Sequence, residues 1–131
     1  RIGYGISNSD DVIGAMNLVR TPFNVNAVAQ AAALAALTHT DEMNQAVAYT
    51  LRERERMAKE LANLGLDVLP SKGNFLFVDC GQASIEVADR LIDWGVIVKP
   101  WKQQGYDTFL RVSVGLDWEN DQFLKAMARV L

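Results

Sequence analysis

The chain has 131 residues, half of them hydrophobic, and a formal net charge of −3. This length and composition suit a folded domain with a hydrophobic core and exclude a disordered or fibrous chain. The mild negative charge gives no electrostatic reason to expect a nucleic-acid or membrane partner, and no apolar run approaches the roughly 20 residues that cross a bilayer. A single cysteine excludes an internal disulfide, which fits a reducing, cytoplasmic environment.

The first part of the chain is predicted to be mainly helical. Residues 2–6 alternate with glycine and predict a short strand, and residues 12–19 then follow helical spacing until Pro22 interrupts it. Residues 27–38 are almost all alanine, leucine and valine, and Asn26 is placed to cap them. A helix that is apolar on all sides should be buried on most of them.

A longer helix is predicted from Thr40 or Asp41 to about Leu64, where Gly65 ends it. Its middle alternates arginine and glutamate over residues 52–56. We interpret this run as a solvated helix face with charge pairs three and four residues apart, because nothing else in the chain supports a nucleic-acid surface.

Beyond Gly65 the pattern changes to short strands alternating with helices. In order, we predict a strand at 68–70, a strand at 74–79, a helix capped by Ser84, a strand at 96–98, a strand at 109–114 and a helix capped by Asp117. This order predicts an α/β (α+β) fold, in which helices cover one face of a short sheet.

Arg111 is the most informative single residue. It lies in the middle of a predicted strand whose alternate residues, Leu110 and Val112, are apolar. An arginine that faces inward there needs an anionic partner, because an unpaired buried charge is costly. The residues alone leave two alternatives open. One is a bound carboxylate or phosphate, which a guanidinium grips with two hydrogen bonds, and the other is an internal salt bridge to Asp79 or Asp107.

Three other residues carry reactive side chains in weaker patterns. Lys99 follows the predicted strand at 96–98 and is most simply a solvent-facing lysine at a strand end. Cys80 ends an apolar run and is predicted to be a buried structural thiol, not a nucleophile. The single histidine, His39, has no partner in the sequence, so no metal site is predicted.

Five short segments follow one another along the whole chain. They are residues 1–5 (RIGYG), 20–26 (RTPFNVN), 71–75 (SKGNF), 95–100 (GVIVKP) and 110–115 (LRVSVG). In this order and at this spacing they resemble the histidinol-phosphate aminotransferases, which are fold-type-I pyridoxal-phosphate enzymes. The resemblance implies that residues 1–26 end the large cofactor-binding domain, residues 27–65 are linking helices, and residues 66–131 form the small C-terminal domain.

The resemblance also implies roles for three residues. Arg1 matches the arginine that contacts the cofactor phosphate, and the lysine that forms the Schiff base with pyridoxal 5′-phosphate would lie just upstream of this chain. Arg111 matches the arginine that binds the substrate anion, which favours a ligand over an internal salt bridge. Lys99 stands where many relatives carry an arginine that touches the substrate phosphate, so the charge is kept but the two-pronged contact is lost.

The implied activity is reversible amino transfer between L-histidinol phosphate, a small-molecule substrate, and 2-oxoglutarate. It would belong to a cytoplasmic homodimer, and this chain would be inactive alone. The helix at 27–38 and the loop at 22–26 are then expected to present an apolar face that normally meets a partner. A related aromatic aminotransferase or threonine-phosphate decarboxylase shares the scaffold and stays open as an alternative. So does a binding or assembly module that has kept the scaffold without the activity.

Overall fold

The computed structural model describes residues 2–131, which contain five helices and four strands. In chain order they are α1 (Asp10–Val19), α2 (Ala27–Thr38), α3 (Thr40–Asn63), β1 (Asp67–Leu69), β2 (Phe75–Asp79), α4 (Ser84–Ile92), β3 (Lys99–Pro100), β4 (Phe109–Ser113) and α5 (Asp117–Val130). The chain divides into two compact units between Gln45 and Ala46, within α3.

The helices of the first unit begin at their capping side chains. Ser9 Oγ accepts a hydrogen bond from the Val12 N–H at 3.4 Å, and Asn26 Oδ1 accepts one from the Ala29 N–H at 2.7 Å. The predicted strand at residues 2–6 is wrong, because these residues pair with no strand in the described chain. Glycine supplies no side chain to pack against a neighbour, so the alternating glycines leave little to hold this segment in a sheet.

Helix α2 is not covered within its own unit, contrary to the burial that its composition predicts. None of its residues is buried, and Val28, Leu34 and Leu37 are exposed. Within its own unit α2 packs against no other helix or strand, so its apolar surface lacks the neighbour that such a helix needs. Although α2 is apolar, no helix among residues 2–131 is both long and apolar enough to cross a membrane.

The second unit is built on a four-stranded antiparallel sheet in the order β1-β2-β4-β3. The central strands β2 and β4 pair along five residues. The predicted strand at 96–98 is wrong, because pairing between β3 and β4 begins only at Lys99. The valines of that segment pack against the core without a strand partner, so the apolar alternation there reflects burial and not a strand.

Ser84 and Asp117, predicted as helix caps, are instead the first residues of α4 and α5. Ser84 is buried, and its hydroxyl donates to the Trp101 carbonyl oxygen at 3.2 Å, which ties α4 to the loop after β3. At α5 the Glu119 carboxylate accepts a hydrogen bond from the Leu116 N–H at 2.7 Å and takes the capping role.

Helices cover only one face of the sheet. The buried side chains come from alternate residues of β2 and β4 and from α3, α4 and α5: Leu76, Val78, Leu110, Val112, Met57, Leu61, Val87, Leu91, Phe123 and Met127. The other, open face carries Phe75, Phe77, Phe109, Arg111 and Lys99, none of which is buried. The predicted α/β fold with helices on one sheet face is therefore confirmed.

Candidate functional site

Lys99 and Arg111 stand opposite each other on the open face. Their Cα atoms are register partners between β3 and β4, and Arg111 is likewise opposite Phe77 of β2. Residues directly opposite in an antiparallel pair point to the same face, with Cβ atoms about 5 Å apart. The sheet therefore brings together two of the residues that the sequence singles out, although they lie on different strands.

The Arg111 side chain is exposed and makes no salt bridge within the described residues. Its guanidinium carbon lies 4.4 Å from the centre of the Phe75 ring, a cation–π contact that holds the side chain across the sheet. The expectation of an inward-facing arginine is wrong, because the helices cover the opposite face and leave this one to solvent. The alternative of an internal salt bridge to Asp79 or Asp107 is not observed, so the guanidinium remains available to an external anion.

Lys99 faces solvent, as its position at a strand end predicts, and it too forms no salt bridge in the part of the chain that the structure describes. Like charges directly opposite each other on a sheet are destabilising, and a bound anion relieves their repulsion. Both side chains line a groove of about 560 Å³, together with Ser113. This volume lies in the range of small-molecule sites. The pair therefore forms a candidate site for a carboxylate or a phosphate.

A buried polar network forms part of the wall of the same groove. The Asn120 amide is buried and makes two hydrogen bonds with Gly115, accepting from its N–H at 2.9 Å and donating to its carbonyl oxygen at 3.1 Å. Asn120 also donates to the Glu53 carboxylate at 3.0 Å, and Arg56 donates to that carboxylate at 2.8 Å. Because Gly115 and Asn120 both line the groove, the network fixes the wall where β4 leads into α5.

The charged run at residues 52–56 is therefore only partly solvated, contrary to its interpretation from the sequence. Glu53 is 4 % exposed and Arg54 is 6 % exposed, and Arg54 donates to the Gly73 carbonyl oxygen at 3.1 Å. Glu53 precedes the buried Met57 by one helical turn, so it shares the core-facing side of α3. That spacing is the signal by which the sequence indicates its burial. The partner of Glu53 on α5 is Asn120, which lies 67 positions away, and no sequence pattern indicates that these two residues meet.

The Glu53 carboxyl is stabilised in its charged form. Hydrogen bonds from Arg56 and then from Asn120 lower its pKa below the ordinary value of 4.5, although burial acts in the opposite direction. A carboxyl whose folded pKa is depressed stabilises the fold above its unfolded pKa. That contribution is lost as the pH falls through the folded pKa.

We expect acid to destabilise the wild-type chain more than the Glu53→Gln variant, which has no carboxyl to protonate. The measurement is the free energy of urea unfolding between about pH 6 and about pH 2. Wild-type stability should fall more steeply below about pH 4.5, towards that of the variant. Glu55→Gln is the matched control, because Glu55 lies in the same run but is exposed. Parallel pH profiles for wild type and Glu53→Gln would contradict the expectation.

Cys80 is buried, as predicted, and burial together with the negative charge of Asp79 raises the pKa of its thiol to about 11. At neutral pH it is therefore a protonated, structural thiol. His39 follows α2 as its C-terminal cap residue, and its Nδ1 lies 2.9 Å from the Ala35 carbonyl oxygen. Among residues 2–131 no three His, Cys, Asp or Glu side chains cluster so as to hold a metal ion.

The third residue to which the resemblance assigns a role, Arg1, lies outside the described residues. The structure therefore gives the surroundings of Lys99 and Arg111, which it brings together, and not those of the residue assigned to the cofactor.

Several known proteins that are similar to this chain are aminotransferases. The family model for aminotransferase class I and II matches residues 1–127. The chain is 47% identical over 131 residues to histidinol-phosphate aminotransferase 1 of Mesorhizobium japonicum, a match that covers 100% of the chain. It is 50% identical over 130 residues to histidinol-phosphate aminotransferase 3 of Rhizobium meliloti, covering 99% of the chain. These matches cover 36% and 35% of the two relatives, so the chain spans about a third of their length.

The fold is similar to that of histidinol-phosphate aminotransferase from Sinorhizobium meliloti, solved in complex with pyridoxal 5′-phosphate. The TM-score is 0.79 at 29% identity, and the match covers 92% of this chain and 34% of that one. The enzyme from Clostridium acetobutylicum gives a TM-score of 0.79 at 22% identity and supports the fold alone, covering 95% of this chain and 39% of that one. The fold that the resemblance implies, that of part of a fold-type-I aminotransferase, is confirmed.

Proposed function

Since this chain belongs to the class I and II aminotransferases, we propose that it is the C-terminal part of a longer enzyme that transfers an amino group between L-histidinol phosphate and 2-oxoglutarate. The observation that carries the proposal is the pair of cations, Lys99 and Arg111, opposite each other on the open face. Both substrates carry anions, a phosphate in one and carboxylates in the other. The pair would hold these anions in turn, in alternate halves of the reaction.

Arg111 is the better suited of the two cations to a planar anion. A guanidinium offers parallel N–H donors that match a carboxylate or a phosphate, whereas a lysine ammonium acts as a point charge. The contact with the Phe75 ring orients the guanidinium before a ligand arrives, which reduces the entropy lost on binding. In this proposal Arg111 binds and orients both substrates, and Lys99 adds charge beside it.

Pyridoxal 5′-phosphate is the proposed cofactor, and when bound it supplies an electron sink for the amino-transfer chemistry. On this chain only Arg1 is proposed to contact it, at its phosphate. The lysine that would bind the cofactor is proposed to precede this chain in the longer protein. The 131-residue chain alone should therefore be inactive.

The proposal extends to the organisation of the longer protein. Residues 1–26 would end its large cofactor-binding domain, residues 27–65 would be linking helices, and residues 66–131 would form its small domain. The uncovered apolar surface of α2, with Phe23 99% exposed just before it, supports a covered position in a homodimer. The proposed partners are a small-molecule substrate and a second copy of the longer protein, in the cytoplasm.

Lys99 should contribute more to the binding of histidinol phosphate than to the binding of glutamate, because a phosphate carries more charge than a carboxylate. Lys99→Ala in the longer protein is expected to lower kcat/KM for histidinol phosphate about tenfold and for glutamate less than about threefold. Steady-state kinetics with each substrate measure the two ratios.

Lys102→Ala is the matched control for this variant. Lys102 is an exposed lysine in the loop after β3 and does not line the groove. The Lys102→Ala change should leave kcat/KM for histidinol phosphate and for glutamate within about twofold of the wild-type values. If Lys99→Ala lowers kcat/KM equally for both substrates, or for neither, then Lys99 has no phosphate-specific role.

The proposed function itself is tested by the turnover of the purified longer protein. Transamination between L-histidinol phosphate and 2-oxoglutarate is the expected result. A protein that binds the cofactor but fails to transfer the amino group between these two compounds would contradict the proposal.

A further inference from the structure

The Arg111 guanidinium does not lie above its own register partner. The residue opposite Arg111 on β2 is Phe77, but the guanidinium carbon lies 4.4 Å from the centre of the Phe75 ring. Phe75 is opposite Ser113, so the Arg111 side chain leans along the sheet towards the last residue pair that β2 and β4 form. The position of the guanidinium therefore depends on how firmly this terminal pair is held.

The β2 side of the terminal pair is held by Arg54 of α3. This buried guanidinium donates a hydrogen bond to the Gly73 carbonyl oxygen at 3.1 Å. The Phe75 ring packs so closely on Gly73 that a Cβ atom there would lie 2.9 Å from the nearest ring carbon. Arg54 therefore fixes the turn on which the ring beneath Arg111 rests.

The β4 side is held by Glu53, the neighbour of Arg54 on α3, through Asn120 of α5. Asn120 donates to the Glu53 carboxylate at 3.0 Å and bonds both backbone groups of Gly115, two residues beyond Ser113. Two adjacent buried charges on α3 are therefore connected to both chain segments at the same end of the β2–β4 pair. A buried ionic network contributes little net stability relative to apolar packing of similar volume, so stability alone does not explain it.

We propose that Glu53, Arg54 and Asn120 are positioning residues for substrate binding, because they hold the terminal pair of β2 and β4 and with it the Arg111 guanidinium. The inference rests on the proposed function and adds to it residues that act through Arg111. Without them the guanidinium would sample more orientations, and a contact that needs both N–H donors aligned with one anion would weaken. Both substrates would then bind less tightly, whereas the steps after binding would change little.

The test is a double-mutant cycle with Arg111 in the longer protein. Asn120→Ala should raise KM about tenfold for both histidinol phosphate and glutamate and change kcat less than about threefold. In an Arg111→Ala background the same change should alter kcat/KM less than about twofold, because the guanidinium that the network positions is gone.

Met127→Ala is the matched control for stability. Met127 is fully buried on the same helix, α5, and does not line the groove, so its truncation destabilises the fold without touching the anion site. The folded Met127→Ala enzyme should keep kcat/KM for both substrates within about twofold of the wild-type values.

Two outcomes would overturn the inference. If Asn120→Ala lowers kcat/KM equally with and without Arg111, the network does not act through Arg111. If Asn120→Ala changes KM no more than Met127→Ala does, the network is only structural. A failure of the proposed function is distinguishable from both, since Arg111→Ala alone would then leave kcat/KM for both substrates unchanged.

If circular dichroism shows that Asn120→Ala is unfolded, Arg54→Met decides. The fold should survive this change, because Gly73 is exposed and water can replace the lost donor to its carbonyl oxygen. Arg54→Met should raise KM for both substrates at least about threefold, and only when Arg111 is present. A smaller change, or one that persists without Arg111, would overturn the inference.

Discussion

Replacing Arg111 by alanine in the longer protein is expected to lower kcat/KM about 100-fold for both histidinol phosphate and glutamate. Both substrates present an anion, and a charge-assisted contact in a partly dry site contributes about 3 kcal/mol, the equivalent of two factors of ten in rate. Because the side chain is exposed and makes no salt bridge in residues 2–131, the fold should survive the change. Steady-state kinetics with each substrate, beside a thermal unfolding curve, measure the effect.

Arg111→Lys separates charge from geometry at the same position. It keeps the charge but loses the parallel donors, so it should restore only part of the lost activity for both substrates. If the Arg111→Ala enzyme folds and keeps its kcat/KM for both substrates, Arg111 does not bind the substrate anion. Its contact with the Phe75 ring would then be structural.

Asn120→Ala should destabilise the second unit by about 2–4 kcal/mol. The change removes three hydrogen bonds, one of them to a buried carboxylate, and leaves the Gly115 N–H and carbonyl without that partner. Urea unfolding of the 131-residue chain measures the loss. Tryptophan fluorescence is the appropriate probe, because all three tryptophans lie between Ala46 and Leu131.

Lys125→Ala is the matched control, because Lys125 is exposed on the same helix, α5. Its free energy of unfolding should change by less than about 0.5 kcal/mol. If Asn120→Ala changes the free energy of unfolding no more than this control, water must replace the amide at no cost, and the network does not fix the groove wall.

The central strands β2 and β4 and the two faces of β4 follow from patterns that are local in the sequence. The alternation along β4 is sufficient to place Leu110 and Val112 on one face of the sheet and Arg111 on the other, as the structure shows, but it does not say which face the helices cover. Asn26 caps α2 because a helix start depends only on its own first turn. These features need no knowledge of the rest of the fold.

The features that the sequence does not predict depend on contacts between distant segments. Lys99 stands opposite Arg111 because the pairing of β3 with β4 begins at Lys99. The apolar residues at 96–98 instead suggest that the pairing begins earlier in the chain. The hydrogen bond from Asn120 to the buried Glu53 carboxylate joins two different helices, so no local pattern predicts it. The composition of α2 predicts burial, but its own unit supplies no surface that covers it.

A crystal structure of the longer protein with histidinol phosphate bound tests most directly whether Arg111 and Lys99 form the anion site. If they do, phosphate oxygens will lie about 2.7–2.9 Å from the Arg111 guanidinium nitrogens, with the Lys99 ammonium beside them. A phosphate bound elsewhere, with the Arg111 guanidinium still over the Phe75 ring and open to water, would contradict the assignment.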